Sequence, residues 1–168
     1  KSYFNAAQDG RDNDGNITQT VAGVKQLTSI EGKFKGVRQG TGVGDNRYST
    51  HSRTTITTSS KIIVMAAAEI WFLRAEAALR GFTSEDVESC YKQGVTTSFA
   101  QWDASGVSEY LESENTPADY VDTFDKNFDA KATTSITPKW DNTADNETKL
   151  ERIITQKWLA IYPEGCEA

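Results

Sequence analysis

The sequence predicts a mainly α-helical protein that opens with a long irregular region carrying short strands. From Lys61 onward, apolar residues recur at helical spacing. Helix stop and start signals, Gly81 followed by Thr83 and Asp86, punctuate that pattern. Upstream, residues 1 to 60 hold eight of the twelve glycines among many Asn, Asp, Thr and Ser, with no sustained helical period. The expected organisation is therefore a loop-rich segment over 1–60 and a helical region over 61–168, both parts of one domain.

At 168 residues with 37% hydrophobic content, the chain is long enough to bury a core of its own. Its 18 basic against 24 acidic residues give a net charge of −6, which opposes binding to nucleic acid phosphates or to anionic membrane surfaces. Two cysteines, Cys90 and Cys166, are too few for a disulfide framework and are expected as free thiols. The chain opens at Lys1 without a methionine and ends in "PEGCEA". It is expected to be a mature or excised piece, so targeting residues give no reading of its location.

In the irregular region the strand candidates are "QTVAGVKQL" and "RTTITT", by their Val, Ile and Thr content. A structureless stretch of this length is uncommon inside a compact domain, so the region is expected to pack on something or to carry function.

The first helix is expected over 61–80, in "KIIVMAAAEIWFLRAEAALRG". Glu69, Arg74, Glu76 and Arg80 rule out a bilayer span. At about 100° per residue, Met65, Ala68, Phe72, Ala75 and Leu79 form one apolar face, and Ile63, Ala67, Ile70, Trp71 and Ala78 a second. A helix apolar on two sides is expected between two neighbours, its charges leaving through a narrow stripe. The second helix, 84–102, carries Val87, Cys90, Tyr91, Gly94, Val95, Ser98, Phe99 and Trp102 in one stripe. Gly94 is a small site where the alanine-rich partner can press in, and the short link predicts antiparallel pairing. A third helix is expected over 117–129 from the sequence Thr116-Pro117-Ala118-Asp119 ahead of Tyr120, Val121, Phe124 and Phe128. After the linker "SITPKWDNTADNE", a fourth helix over 146–162 places Leu150, Ile153, Ile154, Lys157, Trp158 and Ile161 on one side. Lys157 on that stripe must snorkel or meet an acid such as Glu69 or Glu76. Trp71, Trp102 and Trp158 are expected in the core.

Three blocks, "VMAAAEIWFLRAEAALRG", "YKQGVTTSFAQW" and "LERIITQKWLAIYPEGCEA", together with "ITPKW", resemble successive segments of the SusD/RagB-like family of Bacteroidota surface lipoproteins. "FKGVRQGTGVGDNRYS" is similar to the loop region preceding the first block. The resemblance implies tetratricopeptide-like helix pairs, and non-catalytic binding of a glycan or another nutrient at the outer membrane surface. It implies delivery to a SusC-like TonB-dependent transporter, no cofactor, and a lipid anchor that this chain does not contain. It further implies a carboxy-terminal portion of such a protein.

Glycan sites of that family lie on loops, where flat rings stack on sugars and polar side chains bind hydroxyls. The loop candidates here are Tyr48 with Arg38, Asp45, Asn46 and Arg47, and Trp140, for which packing is the alternative role. The lone histidine, His51, excludes a multi-histidine metal site and is expected to be solvated. "DGRDNDGN" departs from the calcium-loop pattern at Gly10 and Val21, and an irregular calcium site there stays open. "GTGVGDN" lacks the lysine of a phosphate loop and the third spaced glycine of a dinucleotide fingerprint. The charges on the helices read as structural pairs. Two other functions stand beside glycan binding: a helical scaffold for protein partners, and a glycoside hydrolase with paired carboxyl groups.

Overall fold

The computed structural model describes residues 19–21, 24–26, 34–37, 51–52, 57–60, 63–122 and 126–164. They fall into two compact units. One comprises residues 61–117 and 134–168; the other comprises 2–60 and 118–133.

The first unit is a set of helices: α1 (Ala67–Leu79), α2 (Val87–Gln101), the short α3 (Val107–Leu111) and α4 (Asn146–Ala160). Local chemistry sets their ends. α1 stops where Gly81 takes φ +77, and the N–H groups of Gly81 and Phe82 donate to the carbonyls of Ala78 (3.0 Å) and Ala77 (2.8 Å). These bonds form a Schellman cap, which requires the left-handed conformation that glycine adopts without strain. α2 begins behind Asp86, whose carboxylate accepts the Ser89 N–H at 2.8 Å. The Thr83–Asp86 capping box is therefore replaced by Asp86 itself, because a carboxylate there reaches the third N–H of the helix directly. Asp145 caps α4 in the same way, accepting from Thr148 N–H at 2.9 Å.

α1 and α2 pack on each other through Ala68, Phe72 and Ala75 on one side and Cys90, Tyr91, Gly94 and Val95 on the other. A methyl group at Gly94 would stand 2.8 Å from the Phe72 ring, so the bare backbone is what lets the ring seat. Ile153 and Ala160 of α4 join this core. The "ITPKW" segment lies across it. The Tyr91 hydroxyl donates to the Pro138 carbonyl at 2.6 Å, Arg152 Nε donates to the Thr137 carbonyl at 3.0 Å, and the Trp140 ring lies 5.0 Å from that of Tyr91. Burial pushes the Tyr91 phenol well above its ordinary pKa, so it remains a donor at any working pH. Cys90 is free and buried.

The charges on α1 pair as side-chain geometry allows. Glu76 meets Arg80 at 2.8 Å one turn on, and Arg74 bonds Glu85 while lying 4.0 Å over the Trp71 ring. Lys157 is 7% exposed, and no ion pair joins it to Glu69 or Glu76 among the described residues. The helix has one covered side rather than two, since Ile70 and Leu73 are more than 40% exposed. Trp158 is corrected too. It is 55% exposed because Ile153, Gln156, Lys157 and Ala160 take the inner face of α4.

The second unit holds a two-stranded antiparallel hairpin, β1 (Gln19–Val21) and β2 (Val24–Gln26), within the first strand candidate. The larger part of the second candidate, residues 53–56, lies outside the described residues. The helix expected over 117–129 is absent among the described residues. Tyr120 instead pairs with Ala130 in an antiparallel bridge, with reciprocal bonds of 2.8 and 2.9 Å, and a 3-10 turn at Lys126–Phe128 lies between them. The intended capping acid is diverted. Asp119 accepts from Ala132 N–H at 2.9 Å and pairs with Lys131 at 2.5 Å, so its carboxylate closes the bridge rather than a first helical turn.

Replacing Tyr91 with Phe is expected to lower stability by about 1–2 kcal/mol, because it strands a buried carbonyl. Gly94→Ala is expected to lose about 1–3 kcal/mol by overpacking against Phe72, despite alanine's better helix propensity. Urea titration of each variant against the parent chain reads both.

Candidate ligand-binding site

The polar chemistry of the second unit gathers where residues 34–37, 51–52 and 118–131 meet. Lys35 and Ser52 hold each other. The Ser52 N–H donates to the Lys35 carbonyl at 2.8 Å, and the Lys35 N–H donates to Ser52 Oγ at 2.8 Å. Residues 38–50 lie between these two segments in the sequence. That interval contains Arg38, Asp45, Asn46, Arg47 and Tyr48, which lie outside the described residues.

The Lys35–Ser52 pair rests on Tyr120. The Lys35 ammonium lies 4.3 Å over the Tyr120 ring and donates to the Val121 carbonyl. The Tyr120 hydroxyl lies 3.2 Å from the Gly36 carbonyl and 3.3 Å from Asp122 Oδ2, and has one proton to give to either. Asp122 is fully buried, and its N–H donates to Asp129 Oδ1 at 2.7 Å. Burial pulls the Lys35 pKa down, opposed by the attraction of Asp122 and Asp129. His51, expected in solvent, is 3% exposed. Burial lowers its pKa too, with Lys35 acting in the same direction and Asp122 against.

Beside this cluster a cavity of about 140 Å³ is lined by Asp119, Tyr120, Val121, Asp129, Ala130 and Lys131. The Lys131 hydrogen bond, and after it the Ala132 N–H, holds the Asp119 carboxyl below the usual carboxylate range, so it is ionised near neutrality. An aromatic ring, side-chain acceptors and an ammonium donor around a shallow cavity suit a ligand rich in hydroxyl groups. Among the described residues no group of three or more His, Cys, Asp and Glu could hold a metal ion. "DGRDNDGN" lies outside them.

Trp140, the remaining sequence candidate, sits in the first unit. It is 8% exposed, with Nε1 donating to Asn142 Oδ1 at 2.9 Å, and so offers a sugar little ring area. Sequence reasoning missed Lys35, Tyr120, Asp119, Asp122, Asp129 and Lys131 as a group. Lys35 and Tyr120 belong to segments more than 80 residues apart along the chain, and no local pattern joins them.

A sequence profile of the SusD-like family, described as "Susd and RagB outer membrane lipoprotein", matches residues 1–168. No curated protein matches. Among solved structures, a SusD homologue from Bacteroides vulgatus is 37% identical with a TM-score of 0.71, over 98% of this chain and 31% of its own. A SusD homologue from Bacteroides uniformis is 33% identical with a TM-score of 0.73, over 98% and 31%. A chitin-binding SusD homologue from Flavobacterium johnsoniae is 35% identical with a TM-score of 0.71, over 99% and 31%. The chain thus spans about a third of the length of the solved structures it matches.

Lys35→Met removes the ring contact and the Val121 hydrogen bond while keeping the aliphatic stem. The expected loss is about 1–2 kcal/mol in a urea titration at neutral pH. Lys35→Arg, which keeps the charge over Tyr120, is expected to lose less.

Proposed function

The chain belongs to the SusD-like family, and from that premise we propose that it takes part in non-catalytic binding of a glycan or similar nutrient at the outer membrane surface. The match of the family profile to every residue carries this reading. The chitin-binding relative supports a saccharide as the ligand class. The cavity beside Tyr120, with Asp119, Asp129 and Lys131 around it, supplies the mixture of ring and hydrogen-bonding groups that a sugar needs. Arg38, Asp45, Asn46, Arg47 and Tyr48 extend that site as ligand contacts, since both ends of their segment are held at Lys35 and Ser52.

In the whole protein, cargo passes from this site to a SusC-like TonB-dependent transporter, and a lipid anchor holds the assembly to the membrane. The family description as an outer membrane lipoprotein supports the location. Among the described residues no helix is long and apolar enough to cross a bilayer. Residues 1–60 and 61–168 act in this reading as parts of one SusD-like domain.

A second reading is a scaffold that engages protein partners. It draws on the exposed apolar residues Ile70, Leu73 and Phe82 of the α1 side and Trp158 and Leu159 of α4.

Affinity electrophoresis of this chain and of its full-length parent through gels containing neutral and acidic polysaccharides tests the proposal. Retardation of both is expected, and Tyr48→Ala and Tyr120→Ala are each expected to weaken it about tenfold or more. Retardation of the parent alone would move the site outside these residues. Peptide binding without retardation of either would favour the scaffold, and release of reducing sugar would favour a hydrolase.

A further inference from the structure

The helical unit holds a cavity of its own, about 210 Å³, between α1, α2, α3 and α4. Its walls are mostly apolar, with the rings of Phe72, Phe99 and Tyr110 and the side chain of Leu159, and among the described residues no charged group lines it. Phe99 and Tyr110 set each other, their ring centres 5.2 Å apart and their planes tilted by 48°. Gln156 supplies the polar part of the lining. It is 6% exposed, yet its amide is only half satisfied: the Tyr110 hydroxyl donates to Oε1 at 3.0 Å, and Nε2 makes no hydrogen bond among the described residues. Burial holds the Tyr110 phenol above its ordinary pKa, outweighing the Gln156 bond, so it stays a donor and keeps Oε1 occupied. Ser98, also on the lining, has a hydroxyl with no hydrogen bond among the described residues. A groove that only packs a neighbouring helix has no use for such donors, since a leucine or phenylalanine side chain entering it would leave the Gln156 N–H groups unpaired and out of water.

We propose that this cavity binds a neutral, single-ring aromatic molecule bearing a carbonyl oxygen, which accepts from Gln156 Nε2 while the ring packs against Phe72, Phe99 and Tyr110. Size, charge and shape point the same way. An apolar cavity of about 150 Å³ takes a benzene ring, so 210 Å³ leaves room for one ring and a small acyl or ester group. No side chain of the lining balances a charge, so a carboxylate or an ammonium group would lose its water without gaining a partner. Aromatic walls favour a flat ligand, through offset and edge-on ring contacts. Ser98 adds a hydroxyl that can give to the same oxygen or accept from the ligand. The site lies within the helical unit and takes a different class of ligand from the saccharide proposed beside Tyr120, so neither reading depends on the other.

Acetophenone and α-methylstyrene, alike except for a carbonyl oxygen in place of a methylene group, are the probes, titrated into the isotope-labelled chain and followed by proton–nitrogen correlation NMR. Acetophenone is expected to shift the Gln156 side-chain amide signals, identified by their loss in Gln156→Leu, and to bind about tenfold more tightly than α-methylstyrene. Gln156→Leu is expected to erase that difference, and Ser98→Leu, which fills the cavity, to abolish binding of both probes. Equal affinities for the two probes in the unaltered chain, or no shift at the Gln156 amide, overturn the proposal. Binding by this chain but not by its full-length parent overturns it as well, since the cavity would then be filled by the protein itself. If Gln156→Leu does not fold, the comparison of the two probes on the unaltered chain decides.

Discussion

The seat of the Phe72 ring on the bare backbone of Gly94 is the contact on which the helical unit depends. It sets how closely α1 and α2 approach, and that distance brings Tyr91 edge-on to Phe72, 6.2 Å between ring centres. From there the order passes outward. Tyr91 fixes the Pro138 carbonyl, Trp140 packs on Tyr91, and Arg152 of α4 takes the next carbonyl, so the "ITPKW" segment is tied to both α2 and α4. A core assembled through one glycine and three aromatic rings tolerates little change in volume at any of them.

The second unit is held differently. Its described contacts are mostly polar: the β1–β2 pairing, the Tyr120–Ala130 bridge, a lysine over a tyrosine, and carboxylates that accept from backbone N–H groups. Each is worth on the order of 1 kcal/mol, and together they must offset the burial of His51 and Asp122 and the partial burial of Lys35.

α1 leaves part of its apolar surface uncovered. The helix is apolar on two sides, and the face of Ala68, Phe72 and Ala75 is the one buried against its neighbours. Ile70 of the second face stays open while Trp71 packs partly buried against the core, and Trp158 and Leu159 on α4 are open as well. Helical repeats bury such faces against their neighbours, and the solved relatives are about three times as long as the matched span.

By itself the sequence determined what is local. The positions of α1, α2 and α4, the Gly81 cap, the small site at Gly94 and the two-stranded tendency near Val21 all follow from spacing and from residues within a turn or two of one another, whereas α3 was not expected. So did the family, through blocks in which apolar and charged positions alternate in a fixed order. Tertiary structure decided the rest. Thr116-Pro117-Ala118-Asp119 carries every local signal of a helix start, yet Asp119 found Lys131 and Ala132 and Tyr120 found Ala130. Trp158 lost its place in the core to Lys157 and Gln156, and His51 lost its solvent to a neighbourhood drawn from residues some 70 positions away. These outcomes turn on pairings between distant segments, whose energies exceed a local propensity of a few tenths of a kcal/mol per residue and which no window of the sequence contains.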